Sequence, residues 1–192
     1  MQWIPEQTVA QVEAATEGSD LVDGITGAIV ELVAVQAPAQ GQNEPSVVLF
    51  AGDPSRMDGF SQIRGSDGRE LSLADLRPAE VYLNTKAARE LRVEAGDRVV
   101  VYAGADPVPV QVRDVVRFDG AITADASVLV SLAQAQRLYG HEGEIRAVLV
   151  SNRGGDVAGA ALSDEVVSLL RPVVRSLDLE IQTLKADAIE DA

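Results

Sequence analysis

The stretch from Glu80 to Tyr102, EVYLNTKAARELRVEAGDRVVVY, constrains this chain more than any other part of it. Glu80-Val81-Tyr82-Leu83-Asn84 is a short apolar run with strand chemistry. Thr85 is placed to cap a two-turn helix over Lys86–Leu91, its hydroxyl accepting a free first-turn N–H. That helix turns Ala87, Ala88 and Leu91 to one side. Ala95-Gly96-Asp97 is then a turn: Gly96 supplies a backbone angle that side chains resist, and Asp97 can accept from local backbone N–H groups. Arg98–Tyr102 returns as a strand. The unit needs a sheet to lie on, and nothing in it is a chemical reagent.

On either side the pattern alternates between helix and strand. Pro5 stands where helices begin, and Glu6–Thr16 spaces Val9, Val12 and Ala15/Thr16 for a helix. Val22–Val35 reads as one long strand or two abutting ones, Ala37–Pro45 as a loop, and Ser46–Gly52 as a buried strand closed by Asp53-Pro54. Met57–Ile63 suggests a helical turn. Val108–Val112 alternates around Pro109, which suggests an edge strand. Ala126–Val130 is apolar and precedes a helix over Leu132–Tyr139. Ile145–Val150 is a strand, Asp156 is placed to cap a long helix through Leu170 that Pro172 perturbs or ends, and Leu179–Leu184 alternates as a last strand. The class is α+β, with a compact β-rich insert between two parts of an α/β lobe. No repeat of fixed period occurs, and no run approaches the ~20 apolar residues that cross a bilayer.

Charge and composition remove several functions. Lys and Arg number 16 against 30 Asp and Glu, a formal net charge of -14. Phosphate backbones are repelled by such a surface, and the arginines are scattered, so no nucleic-acid partner is expected. Aromatics are 4% of the chain, too few for a stacking platform. Cysteine is absent, which removes disulfides, thiol catalysis and cysteine-based metal sites.

An active site is hard to assemble from what remains. His141, in Gly140-His141-Glu142-Gly143-Glu144, is the sole histidine, and one imidazole does not build a His-rich metal site. A phosphate loop is missing, and Lys86 and Lys185 are the only lysines. The close acidic pairs Asp20/Asp23, Asp164/Glu165 and Glu190/Asp191 lack the alternating ligand spacing of a calcium loop. No Gly-x-Ser-x-Gly elbow supports hydrolase chemistry. No catalytic, cofactor-binding or metal-ligating residue is therefore assigned, and the chain reads as a non-enzyme.

The Asn84-x-x-Ala87-Ala88-x-x-Leu91-x-Val93-x-x-Gly96-Asp97-x-Val99 pattern resembles a segment of the extracytoplasmic domains of MacB/FtsX-like ABC-transporter permeases. Val9–Asp23, Ser46–Pro54, Val128–Tyr139 and Ile145–Asn152 resemble further pieces of those domains, in the same order. The resemblance implies a domain outside the cytoplasmic membrane, between transmembrane helices of a dimeric permease. A cytoplasmic ATPase would drive it, and it would act on an external substrate or partner protein. It also implies a discontinuous porter-like lobe over 1–66 and 144–192, interrupted by a Sabre-like β-rich lobe over 67–143. No cofactor and no functional residue follow from it.

Two other readings stand beside this one. The strand–helix–Gly-Asp–strand unit also occurs in double-psi barrels, which would make the chain a cytosolic substrate-recognition module. That reading calls for a second copy of the unit, and no second Leu-x-x-Gly-Asp-x-Val occurs. A small enzyme using carboxylates and a metal would need acidic side chains converging in one pocket.

Overall fold

Six strands close into a ring. The computed structural model describes residues 2–60, 62–104, 106–118 and 125–183. In chain order its elements are β1 (Ile4–Pro5), α1 (Thr8–Thr16), β2 (Val22–Ala37), β3 (Gln42–Gly52), β4 (Ile63–Gly65), β5 (Glu70–Leu71), β6 (Glu80–Asn84), α2 (Thr85–Leu91), β7 (Arg98–Tyr102), β8 (Val108–Phe118), β9 (Ser127–Ser131), α3 (Leu132–Tyr139), β10 (Glu144–Ile145), β11 (Ala147–Asn152), α4 (Gly155–Ala161) and α5 (Ser163–Ser176). Strand β2 pairs antiparallel with β3, β3 parallel with β9, and β9 antiparallel with β6. Strand β6 then pairs parallel with β8, and β7 bridges β8 back to β2, antiparallel to both.

Alternation along these strands fills the ring. Ile29, Val33, Val35, Val47, Leu49, Val81, Leu83, Val99, Val101, Val112, Val128 and Val130 all belong to one buried cluster. Helix α2 adds Ala87, Ala88 and Leu91 to it, and α3 adds Leu132 and Ala135. A second cluster of Phe50, Tyr82, Leu129 and Val116 lies across the other face of the same wall, with Ile63 of β4 and Leu73. Because β6 and β9 are covered on both faces, they read in sequence as continuous apolar runs instead of alternating ones. A third cluster joins Val12 of α1 to Val166 and Leu170 of α5, over the end of β2 that pairs with β11.

The ring's connectivity repeats although its sequence does not. In β6–α2–β7–β8, the hairpin brings β8 back parallel beside β6. Strand β9 and α3 repeat the first half of this unit, and the hairpin β2–β3 supplies the second half, with β3 parallel beside β9. The second copy is split between the start of the chain and residues 127–139, which is why reading along the chain does not reveal it.

Several expectations shift by a physical cause. The residues from Val22 to Ala37 are one strand of 16 residues. Strand β3 begins at Gln42, earlier than expected, and Pro45 falls where two of its residues oppose one of β2, between the pairs Val33–Val47 and Val35–Glu44. Pro109 lies in the part of β8 that pairs only with β7, since pairing with β6 starts at Gln111, so its missing N–H interrupts no ladder. The turn after Asp53 is a 3-10 turn over Pro54–Arg56, and Ile63 already belongs to β4. The expected helix from Asp156 to Leu170 is two helices meeting at Leu162; the Asp156 side chain lies outside the described ones. Pro172 sits inside α5 without ending it, because it and Ser168 are both exposed and water can satisfy the Ser168 carbonyl. Leu179–Thr183 forms no strand, and Leu184 lies outside the described residues.

Candidate functional site

The titratable residues singled out in the sequence do not converge. His141 stacks on Trp3, with ring centroids 4.1 Å apart and planes at 12°, and its Nδ1 lies 2.5 Å from Glu144 Oε2. Both of its faces of interaction are thus with structural neighbours. Asp20 meets Arg153 at 3.8 Å on the surface. Asp164 and Glu165 occupy the exposed first turn of α5, where carboxylates favour the positive end of a helix. Glu190 and Asp191 lie outside the described residues. Among the described residues no three His, Asp or Glu side chains come together as a metal site.

The patterned motif is built around Asn84. It caps α2, its Oδ1 accepting from the Ala87 N–H at 2.9 Å, where the sequence pointed to Thr85, the first residue of the helix. The same oxygen accepts from the Ser127 N–H at 3.0 Å, and the Nδ2 donates to the Asp125 carbonyl at 2.6 Å. Lys86 Nζ reaches Asp125 Oδ1 at 2.7 Å. Helix α2 therefore starts against the beginning of β9. Asp97 accepts from the Glu94 N–H and from Gln40 Nε2, tying the Gly-Asp turn to the β2–β3 hairpin.

The other dense cluster holds the residues before α1. Strand β1 pairs with β10 through Ile4–Ile145 and Pro5–Glu144, and the Glu6 N–H donates to the Gly143 carbonyl at 2.8 Å. Gln136 Nε2 donates to Glu6 Oε2 at 2.9 Å and to the Glu144 carbonyl at 3.0 Å. Trp3 lies between His141 and the Arg146 guanidinium, whose Cζ is 4.5 Å from the indole ring, and 5.6 Å from the ring of Tyr139. Arg146 in turn pairs with Glu31 of β2 at 2.7 Å. The Tyr139 hydroxyl is buried beside this pair with no partner among the described residues. Burial, reinforced by the Glu31 charge and opposed by Arg146, pushes its phenol up to about 12. Sequence reasoning noted His141 alone; its partner Trp3 is far away along the chain, and no local pattern announces it.

Two surfaces remain. An open polar cleft of about 480 Å³ is lined by Arg69, Glu70, Leu71, Asp75, Tyr82, Arg113 and Asp114. Its charges are largely satisfied: Arg113 faces Glu80 at 3.6 Å, and Asp75 and Asp114 accept from backbone N–H groups of Ser72 and Val115. On the outer wall of the ring, Leu32 is 70% exposed and Tyr102 43% exposed. Tyr102, opposite Ala34, donates its hydroxyl to Gln36 Oε1 at 2.9 Å.

Neither a protein-family model nor a curated protein matches the sequence. Solved structures do. The extracellular domain of the noncanonic ABC-type transporter YknZ from Gram-positive bacteria superposes with a TM-score of 0.59 at 14% identity, over 93% of this chain and 86% of that one. The periplasmic region of MacB from Actinobacillus actinomycetemcomitans gives a TM-score of 0.59 at 15% identity, over 98% of this chain and 83% of that one. The chain has the MacB-like extracytoplasmic fold. The likeness seen in the sequence pieces is thus borne out for the fold of nearly the whole chain, α+β as expected. Within the MacB-like fold, the residues that carry the motif serve architecture: Asn84 joins α2 to β9, and Gly96, at φ +96°, makes the turn into β7. No helix among the described residues is long and apolar enough to cross a membrane.

Proposed function

We propose that this chain is the extracytoplasmic domain of an ABC-transporter permease. On this reading it passes motion, driven by a cytoplasmic ATPase, to an external substrate or partner protein. The MacB-like fold carries the reading, together with the packing of α1 on α5 through Val12, Val166 and Leu170. The first and last described helices lie side by side, the arrangement needed if both ends of the domain lead to one membrane. Its partners are then the permease's own transmembrane helices, a second permease copy and the ATPase, with no nucleic acid involved. On this reading the domain has no catalytic role of its own. Strands β2 and β3, ahead of the boundary at 66/67, pair with β7 and β9 beyond it. The porter-like and Sabre-like parts therefore transmit movement as one body, since sliding them apart would break those ladders.

The test is topological. Leu32→Cys in the complete protein, with any cysteine outside these 192 residues replaced by serine, places a single exposed thiol in a stretch that has no cysteine of its own. A membrane-impermeant maleimide applied to intact cells should label it. Labelling only after lysis sinks the proposal, as does a coding sequence with no stretch of ~20 apolar residues on either side of this chain.

A further inference from the structure

We infer that residues 2–7 form a strap that opens from the rest of the domain while the domain stays folded. Apart from the Glu6 carbonyl, which accepts from the Val9 N–H, the strap's described polar and ring contacts fall on residues 136–146, and Trp3 and Ile4 also pack against the edge of the main core. Ile4 and Pro5 pair with Ile145 and Glu144, the Glu6 N–H and carboxylate bond to Gly143 and Gln136, and Trp3 sits between His141 and Arg146. The β1–β10 pair is a two-stranded sheet of its own, separate from the ring, so releasing it breaks no ring ladder. Past the strap, the chain is fixed. Val9 is 4% exposed in the main core and Val12 is 3% exposed against α5, so opening stops where α1 begins.

The closed state carries a cost. It holds the Tyr139 hydroxyl buried without a partner among the described residues, with the Tyr139 ring 5.6 Å from that of Trp3. Lifting Trp3 away lets water reach that hydroxyl, which removes a penalty the closed state bears. Opening also frees the Arg146 guanidinium from the indole while leaving its ion pair with Glu31 of the ring wall. The strap is thus joined to β2 through Trp3, Arg146 and Glu31 in series. On the permease reading, tension arriving ahead of residue 2 meets this series first, and opens it before it strains the ring. That last step rests on the permease reading; the opening itself does not.

Native-state hydrogen exchange on the whole chain tests it. The Glu6 amide, bonded to the Gly143 carbonyl, should exchange well ahead of the Leu83 amide in the ring and of the amides in the second turn of α1. Tyr139→Phe, which removes the orphaned hydroxyl, should slow Glu6 exchange by roughly tenfold and leave its order relative to Leu83 unchanged. Trp3→Ala should speed Glu6 exchange with the second turn of α1 still protected. Three results overturn the inference: Glu6 and Leu83 exchanging together, α1 exchanging as fast as Glu6, or Tyr139→Phe leaving Glu6 unchanged. Absence of a membrane span upstream would remove only the source of the pull, so the two ideas fail separately.

Discussion

At Asn84 three stretches meet: the end of β6, the first turn of α2 and the start of β9. One carboxamide satisfies two backbone donors and one backbone carbonyl there, and it is 7% exposed. Asn84→Ala takes the side-chain acceptor from the Ala87 and Ser127 N–H groups in a place water scarcely reaches, while the Asp125 carbonyl keeps the Ser127 hydroxyl, and it should lower stability by about 3 kcal/mol in urea unfolding. Asn84→Asp keeps the acceptor for Ala87 and Ser127 but turns the donor toward Asp125 into an oxygen, so its loss should fall short of the alanine variant's. Gly96 tests the backbone side of the same motif. Its φ is +96°, and nothing lies within 4 Å of a Cβ built there. Gly96→Ala should therefore cost only the conformational strain, about 1–2 kcal/mol.

Two tyrosines make a pH prediction at the same scale. Tyr82 and Tyr139 are both pushed up to about 12 from 10.0, burial being the main cause. At Tyr82 the Asp75, Asp114 and Glu80 carboxylates add to it and Arg113 opposes it. The folded chain holds these phenol protons more tightly than the unfolded chain does. Their contribution is complete below pH 10, and stability should fall as pH rises from about 10 to about 12. Urea midpoints across that window measure it. Tyr139→Phe should flatten the fall and sacrifice no hydrogen bond, because the hydroxyl has no partner to lose among the described residues.

Elements differ in how far their sequence announces them. The α2 unit is legible because every local signal agrees: apolar strand, helix former run, glycine at a positive φ and return strand. The long β2 is legible as well, since its Val, Ile and Ala residues continue from Val22 to Ala37 without a breaker at its centre. The stretch after α5 is not. Leu179 and Ile181 alternate like a strand, but Ile181 packs into the cluster between α1, α5 and β11, so the period reflects docking of an irregular segment. The α1–α5 contact was equally invisible, being made by residues at opposite ends of the described chain. Leu170 sits at its centre, 6% exposed. Leu170→Ala should cost about 3 kcal/mol by cavity formation, read as a shift of the urea midpoint. The candidate site was legible only in outline: a lone histidine pointed to the strap's location, while Trp3 ahead of β1, Glu31 of β2 and Arg146 between β10 and β11 did not.

For the whole molecule, the decisive fact is that the ring draws β2 and β3 from residues 22–52 and the other four strands from residues 80–131. The β-rich insert expected at 67–143 holds β6 to β9, two thirds of the ring. Cut out, it would carry an open edge on β7, where β2 belongs, and another on β9, where β3 belongs. It would also bare the inner faces of Val99, Val101, Val128 and Val130, which are at most 3% exposed in the whole chain. Apolar burial is the main favourable term in folding, so a fragment that loses two adjacent walls of its core should not fold. We expect residues 67–143 alone to lack a cooperative urea transition, and the full chain to unfold its ring in one step seen equally from β2 and from β6. A fragment 67–143 that melts cooperatively would mean that four strands form a core without β2 and β3, and that the boundaries at 66/67 and 143/144 separate two folding units that merely share a sheet.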